Sequence, residues 1–129
     1  MKLIVDSKVL QQIWGASTEF WFSRTDYSIY NEVDLPSDDA SKLFETGFIP
    51  FVSVSNEELI RAYVASLDNK KITAVLDKLN GEAYIETFWK YFNAYKEVSD
   101  GFDEFEKSYV INKLAEWCGD NSIEYKIAD

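Results

Sequence analysis

The chain has no histidine, one cysteine, two prolines and five isolated glycines in 129 residues. Each shortage removes a class of chemistry. Without histidine there is no Ser-His-Asp triad, no Cys-His pair and no imidazole ligand for a metal. A single thiol, Cys118, forms no intramolecular disulfide, which points to a reducing compartment. The glycines fall into neither a Gly-x-Gly-x-x-Gly nor a Gly-Lys-Ser/Thr pattern, so no phosphate-cradling loop is read. Cations are scarce as well: 13 Lys and Arg stand against 23 Asp and Glu, a net charge of −10. That field disfavours a surface that must hold nucleic-acid phosphate, and Lys70-Lys71 is a single pair amid acid. No apolar run approaches the ~20 residues of a membrane span. Leu3-Ile4-Val5 is too short for a signal-peptide core before Asp6. The expectation is a cytoplasmic protein with no nucleic-acid partner and no membrane contact.

What remains is rich in core material. Hydrophobic residues make up 47% of the chain, aromatic ones 16% and charged ones 28%, an ordinary globular composition. A single domain over residues 1–129 is expected, large enough to bury roughly two-thirds of its unfolded surface.

Asp6 or Ser7 can cap a short helix whose stripe is Val9, Leu10, Ile13 and Trp14, with Gly15 as its stop. Glu19 to Ser23 and Tyr27 to Val33 alternate as strands across the polar link Arg24-Thr25-Asp26, which predicts a hairpin. Phe20 and Phe22 share one face of the first strand and Trp21 takes the other. Residues 34–45 read either as a brief helix after Pro36, carrying Ala40, Leu43 and Phe44, or as a loop over the core. Gly47 to Val54 reads as a third extended segment, with Pro50 marking an edge or a break.

The second half is helical. Ser55-Asn56-Glu57-Glu58 has the pattern of a capping box, with Val54 and Leu59 placed for a hydrophobic staple. Leu59, Ile60, Tyr63, Val64 and Leu67 form the stripe of that helix. Ile72, Val75, Leu76 and Leu79 repeat the period after Asp68-Asn69, and Asn80-Gly81 is a stop. Ala83, Tyr84, Phe88, Phe92 and Tyr95 define a third helix with Trp89 on its flank. A fourth carries Phe102, Phe105, Tyr109, Val110, Leu114, Trp117 and Cys118. Ser122 to Ile127 alternates as a final strand. The fold class expected is α+β: a small antiparallel sheet, made of the N-terminal hairpin plus one or two further strands, packed against a four-helix C-terminal half.

Candidate catalytic groups are few. Glu57-Glu58, Asp38-Asp39 and the set Asp103, Glu104 and Glu106 sit where caps and helix dipoles explain them. Adjacent helical residues do not face each other, so none is a preformed acid–base dyad. Asp100-Gly101-Phe102-Asp103 lacks the full calcium-loop pattern. Cys118 has no histidine partner and lies near a helix C-terminus, which suits a buried, inert thiol. No catalytic residue, metal or cofactor is expected. Trp21, Tyr30 and Trp89 stand apart because their faces oppose the main apolar face; either a second layer covers them or they form an exposed patch. Trp21 and Tyr30 are the residues to expect at a protein-binding surface, since large anchors carry most interface energy.

The ordered pattern also resembles the bacterial family UPF0158. The resemblance rests on the aromatic hairpin from Glu19-Phe20-Trp21-Phe22 to Tyr30-Asn31-Glu32-Val33, on Phe48-Ile49-Pro50, on Leu79-Asn80-Gly81-Glu82-Ala83-Tyr84 leading to Phe88, and on Ala115-Glu116-Trp117 with Asn121-Ser122-Ile123. This chain has Tyr84-Ile85-Glu86-Thr87 where members of that family usually carry basic residues. The resemblance implies a small α+β protein, assigns no reaction and supplies no catalytic residue. The expected function is that of a non-enzymatic protein-binding module. An inhibitor or immunity-type protein against a basic toxin or nuclease is the alternative, and a carboxylate-dependent enzyme is the third reading. Small acidic proteins suit the inhibitor role through electrostatic steering.

Replacing Ser55 by alanine should cost about 1 kcal/mol of stability in urea unfolding. A change near zero would show that Ser55 does not cap a helix.

Overall fold

The computed structural model describes residues 1–14 and 19–128. The expected helix stop at Gly15 lies outside them. The chain divides into two compact units, one formed by Met1–Val54 with Ile111–Asp129 and the other by Ser55–Val110.

In the first unit, strand β1 (Leu3–Val5) pairs in parallel with β5 (Tyr125–Ile127), Leu3 opposite Tyr125 and Val5 opposite Ile127. Leu3 and Val5 are buried while Ile4 is half exposed, the period-two signature of a strand with one covered face. Helix α1 (Ser7–Ile13) starts at Asp6, whose Oδ1 accepts the Val9 N–H at 2.9 Å, and it buries Val9 and Ile13. The final strand does form, but it joins β1 and not the antiparallel sheet. A parallel partner more than a hundred residues away leaves no local trace in the sequence.

The antiparallel sheet has the order β3-β2-β4, with β2 at Phe20–Ser23, β3 at Ser28–Asn31 and β4 at Phe48–Pro50. Trp21 faces Tyr30 across one ladder and Pro50 across the other. Pro50 closes an edge strand, where a missing N–H costs no ladder bond. The hairpin turns through Tyr27 in the left-handed region (φ 55°), with the Tyr27 N–H donating to the Ser23 carbonyl at 2.8 Å. Helix α2 (Ala40–Glu45) resolves the ambiguity of residues 34–45 in favour of a brief helix, capped by Asp39. Gly47 follows it at φ 91°, and a Cβ there would lie 3.3 Å from Thr25 Oγ1, so glycine is required at this turn.

The second unit begins with α3 (Asn56–Leu67). Its capping box is complete: Ser55 Oγ accepts the Glu58 N–H at 3.1 Å, and Glu58 accepts the Ser55 N–H at 3.4 Å. Leu59, Ile60, Tyr63 and Val64 are buried as the spacing predicts, whereas Leu67 is half-buried. Asp68 in the left-handed region ends α3, and Asn69 caps α4 (Lys70–Leu76). Helix α5 (Gly81–Ala94) buries Tyr84 and Phe88. The one-turn α6 (Lys96–Ser99) was not expected, being too short to show a period. Helix α7 (Phe102–Asp120) gives its first half to this unit and its second half to the other.

An aromatic cluster holds α3, α5 and α7 together. Tyr63 meets Phe88, Phe102 and Phe105 at centroid distances of 6.1, 4.9 and 5.2 Å, the first two edge-on. The Tyr63 hydroxyl lies 2.6 Å from the Val98 carbonyl oxygen and 2.9 Å from that of Asp100, which ties α6 to α3. Burial, with the Asp100 charge adding to it, pushes the pKa of this phenol up. The architecture is α+β, as the order of segments predicts.

Candidate docking surface

Strand β2 is covered on both faces within the first unit. Trp21 (8% exposed) packs with Leu43 of α2 and Phe48 of β4, and Tyr30 and Leu35 close the rim of that cluster. On the opposite face Phe22 is fully buried, edge-on to Tyr27 at 5.2 Å and to Trp117 at 5.5 Å. Trp117 reaches the sheet edge as well, where its indole N–H donates to the Pro50 carbonyl at 3.1 Å.

The structure therefore separates the two residues expected at a binding surface. Trp21 is core, and the layer that covers it is α2. Tyr30 is half-buried at the margin, and its hydroxyl donates to Asp26 Oδ2 at 2.5 Å across the hairpin. That bond lowers the pKa of Asp26 and raises that of Tyr30. Trp89 is 37% exposed on α5.

The layer over Trp21 presents a surface of its own. Phe44 of α2 touches the Trp21 ring edge-on at 5.8 Å yet remains 54% exposed. Val33, in the 3-10 turn Glu32–Asp34 that follows β3, is 79% exposed. Glu32, Asp34, Asp38, Asp39 and Glu45 are exposed in the same stretch, with Lys42 its single cation. Local caps fix this backbone: Asn31 accepts the Val33 N–H at 3.2 Å, and Asp39 accepts the Ser41 N–H at 3.0 Å. The exposure of Val33 and Phe44 is not legible in the sequence. Alternation predicts a strand through Val33, whereas β3 ends at Asn31, and Phe44 falls in the stretch that reads as a brief helix or a loop, so no local pattern marks either as exposed.

Several other titratable groups have structural roles. Arg61 pairs with Glu57 at 3.0 Å and stands 4.0 Å over the Tyr84 ring. Tyr109 donates to Glu58 at 2.8 Å. Burial, with the Asp103 charge adding to it, raises the pKa of Glu106, but Glu106 does not line the cleft that residues 67–72 and Tyr95 share. Among the described residues no group of three or more carboxylates and thiols is placed to hold a metal, and no helix is long and apolar enough to cross a membrane. No protein-family model, no curated protein and no solved structure matches this chain.

Cys118 is 1% exposed, and burial pushes its thiol up to about 11. A buried thiol held neutral is a poor nucleophile. The native protein should react slowly with a thiol reagent below pH 11, while the unfolded chain should react readily from about pH 9. The sign follows from the raised folded-state value: what the neutral thiol adds to stability is intact below the unfolded pKa and is lost as pH rises through the folded one. Equal labelling rates for folded and unfolded protein at pH 8 would contradict this burial.

Proposed function

We propose that the protein is a non-enzymatic binding module. In this reading its partner is a protein that lays a basic, amphipathic segment on the surface formed by residues 31–45. The observation that carries the reading is the exposure of Val33 and Phe44 among five exposed acids on a backbone fixed from below. Acids act at long range and steer a basic partner, within a screening length of ~10 Å at moderate salt. Large apolar groups act at contact and supply most of the affinity. Because the Trp21 cluster already holds this segment, little ordering cost remains when a partner docks. Trp21 works from beneath the surface, and Tyr30 stands at its margin.

The chain's single thiol and negative charge suit the cytoplasm, and we place the protein there. The likeness of the aromatic hairpin and of the Leu79–Tyr84 segment to UPF0158 belongs to the same proposal and adds no reaction to it. An inhibitor of a basic toxin or nuclease is the runner-up, favoured by the same acids; there the partner's own activity would fall on binding.

The test is comparative capture from the native cell at low salt. The wild-type protein should retain a basic partner that is released as salt approaches physiological strength. The pair Val33→Ser and Phe44→Ser should lose that partner with only a small fall in melting temperature, since Phe44 touches Trp21 by an edge alone, and Asp38→Asn with Asp39→Asn should lose it with none, since both side chains are exposed and asparagine also caps a helix. Equal retention by the wild type and both variants would remove the surface from consideration.

A further inference from the structure

The parallel sheet of the first unit ends on an open strand. Among the described residues β5 has β1 as its only strand partner. The bonds between them include Leu3 N–H to the Glu124 carbonyl at 2.9 Å and Ala128 N–H to the Val5 carbonyl at 2.8 Å. In a strand the N–H and C=O of one residue point to the same side, and successive residues alternate. Glu124, Lys126 and Ala128 therefore turn their backbone toward β1. Tyr125 and Ile127 turn N–H and C=O outward, where no strand meets them. The side chains tell the same story. Tyr125 and Ile127 lie opposite Leu3 and Val5, and so on one face of the sheet. Leu3 and Val5 are buried on that face, but Tyr125 is 36% and Ile127 38% exposed, so the apolar face runs to the edge and stops. Such an edge takes an extended polypeptide strand and not a small molecule, since a strand offers donors and acceptors at the ladder spacing.

The sequence of the edge selects the strand. Ile123-Glu124-Tyr125-Lys126-Ile127 is self-complementary when laid antiparallel on a copy of itself about Tyr125. Tyr125 then faces Tyr125, Glu124 faces Lys126, and Ile127 faces Ile123. Backbone direction agrees with this register. The outward groups of Tyr125 form a hydrogen-bonded pair with those of the second copy, and Glu124 and Lys126 fall at the closely spaced pairs between ladder bonds. The neighbouring antiparallel registers that keep outward groups paired are centred on Glu124 or on Lys126, and each sets like charges face to face. A lone lysine on an edge normally wards off pairing. Here Glu124 answers it.

We infer that a second copy of the chain adds its β5 to this edge, antiparallel and centred on Tyr125, so that the two sheets join into one of four strands in the order β1-β5-β5-β1. Both copies use the same edge, so the pairing closes as a two-fold dimer. Tyr125 and Ile127 gain the neighbours that the edge lacks. A short edge on two copies that each carry a charge of −10 makes a weak dimer, favoured by high concentration and by salt that screens the repulsion. The inference is independent of the surface on residues 31–45, and either can fail without the other.

Sedimentation equilibrium of the whole protein at about 0.15 M salt, from about 10 µM to about 1 mM, reads the association. The wild type should pass from monomer toward dimer within that range. Glu124→Lys and Lys126→Glu should each weaken dimerisation by about tenfold, because each places two like-charge pairs across the two-fold axis. Both substitutions in one chain should restore it, and so should an equal mixture of the two single variants, since each arrangement again pairs unlike charges. Both side chains are exposed, so the melting temperature of the monomer should hold. In a mixture of isotope-labelled and unlabelled wild type, the α protons of Glu124 and Lys126 on different copies should give an NMR cross-peak, as closely spaced antiparallel pairs do. A monomer throughout the range would overturn the inference and leave the edge to a strand of another protein or to none. A dimer indifferent to the charge exchanges, or one whose cross-peaks between copies arise only elsewhere in the chain, would overturn it as well.

Discussion

Trp21 and Phe22 are adjacent in the chain and point to opposite faces of one strand, so a single peptide unit joins the two halves of the first unit's core. Beneath Trp21 lie Leu43 and Phe48, and beneath Phe22 lies Trp117. A strand buried on both faces in the middle of a three-stranded sheet cannot slip by one residue without exchanging the two clusters. Its neighbours are thereby fixed too. The ladder to β3 sets where Tyr30 falls, and the ladder to β4 sets where the Pro50 carbonyl meets the Trp117 indole. The second unit has a comparable centre in Tyr63, whose ring is surrounded by aromatic rings and whose hydroxyl lies between two carbonyl oxygens.

The exposed apolar residues sit on what those centres support. Phe44 is exposed because its neighbour Leu43 takes the inward position on a helix of six residues. Val33 is exposed because the 3-10 turn carries it off the end of β3. Neither residue adds to the core, and the acids around them cost little in water. The same logic leaves Tyr95 outside: α5 ends one residue before it, and its ring stacks on Tyr91 at the surface.

Much of the fold was legible because its signals are local. The capping box at Ser55, the hairpin turn after Ser23, the placement of Trp21 and Phe22 on opposite faces and the burial of Cys118 each depend on a few neighbouring residues. Elements defined by distant partners were not legible. Leu3–Val5 is a three-residue apolar run whose strand character comes from a partner near the other end of the chain. Four residues of α6 are too few for a helical period. Alternation placed Trp21 away from Phe22, but whether α2 would cover it lay in tertiary packing, and that packing makes Trp21 a core residue. Val33 and Phe44 carried no pattern that marked them, because exposed apolar residues are common on protein surfaces.

The central claim is that Trp21 is the keystone of the first unit and not part of its exposed surface. Equilibrium unfolding of Trp21→Ala beside Phe44→Ala tests it most directly. Loss of a buried indole should cost about 3–5 kcal/mol. Phe44, already half in water and touching Trp21 only edge-on, should cost well under half as much when truncated. Equal and small losses for the two variants, with Trp21→Ala keeping the native melting temperature, would contradict the account and return Trp21 to the surface.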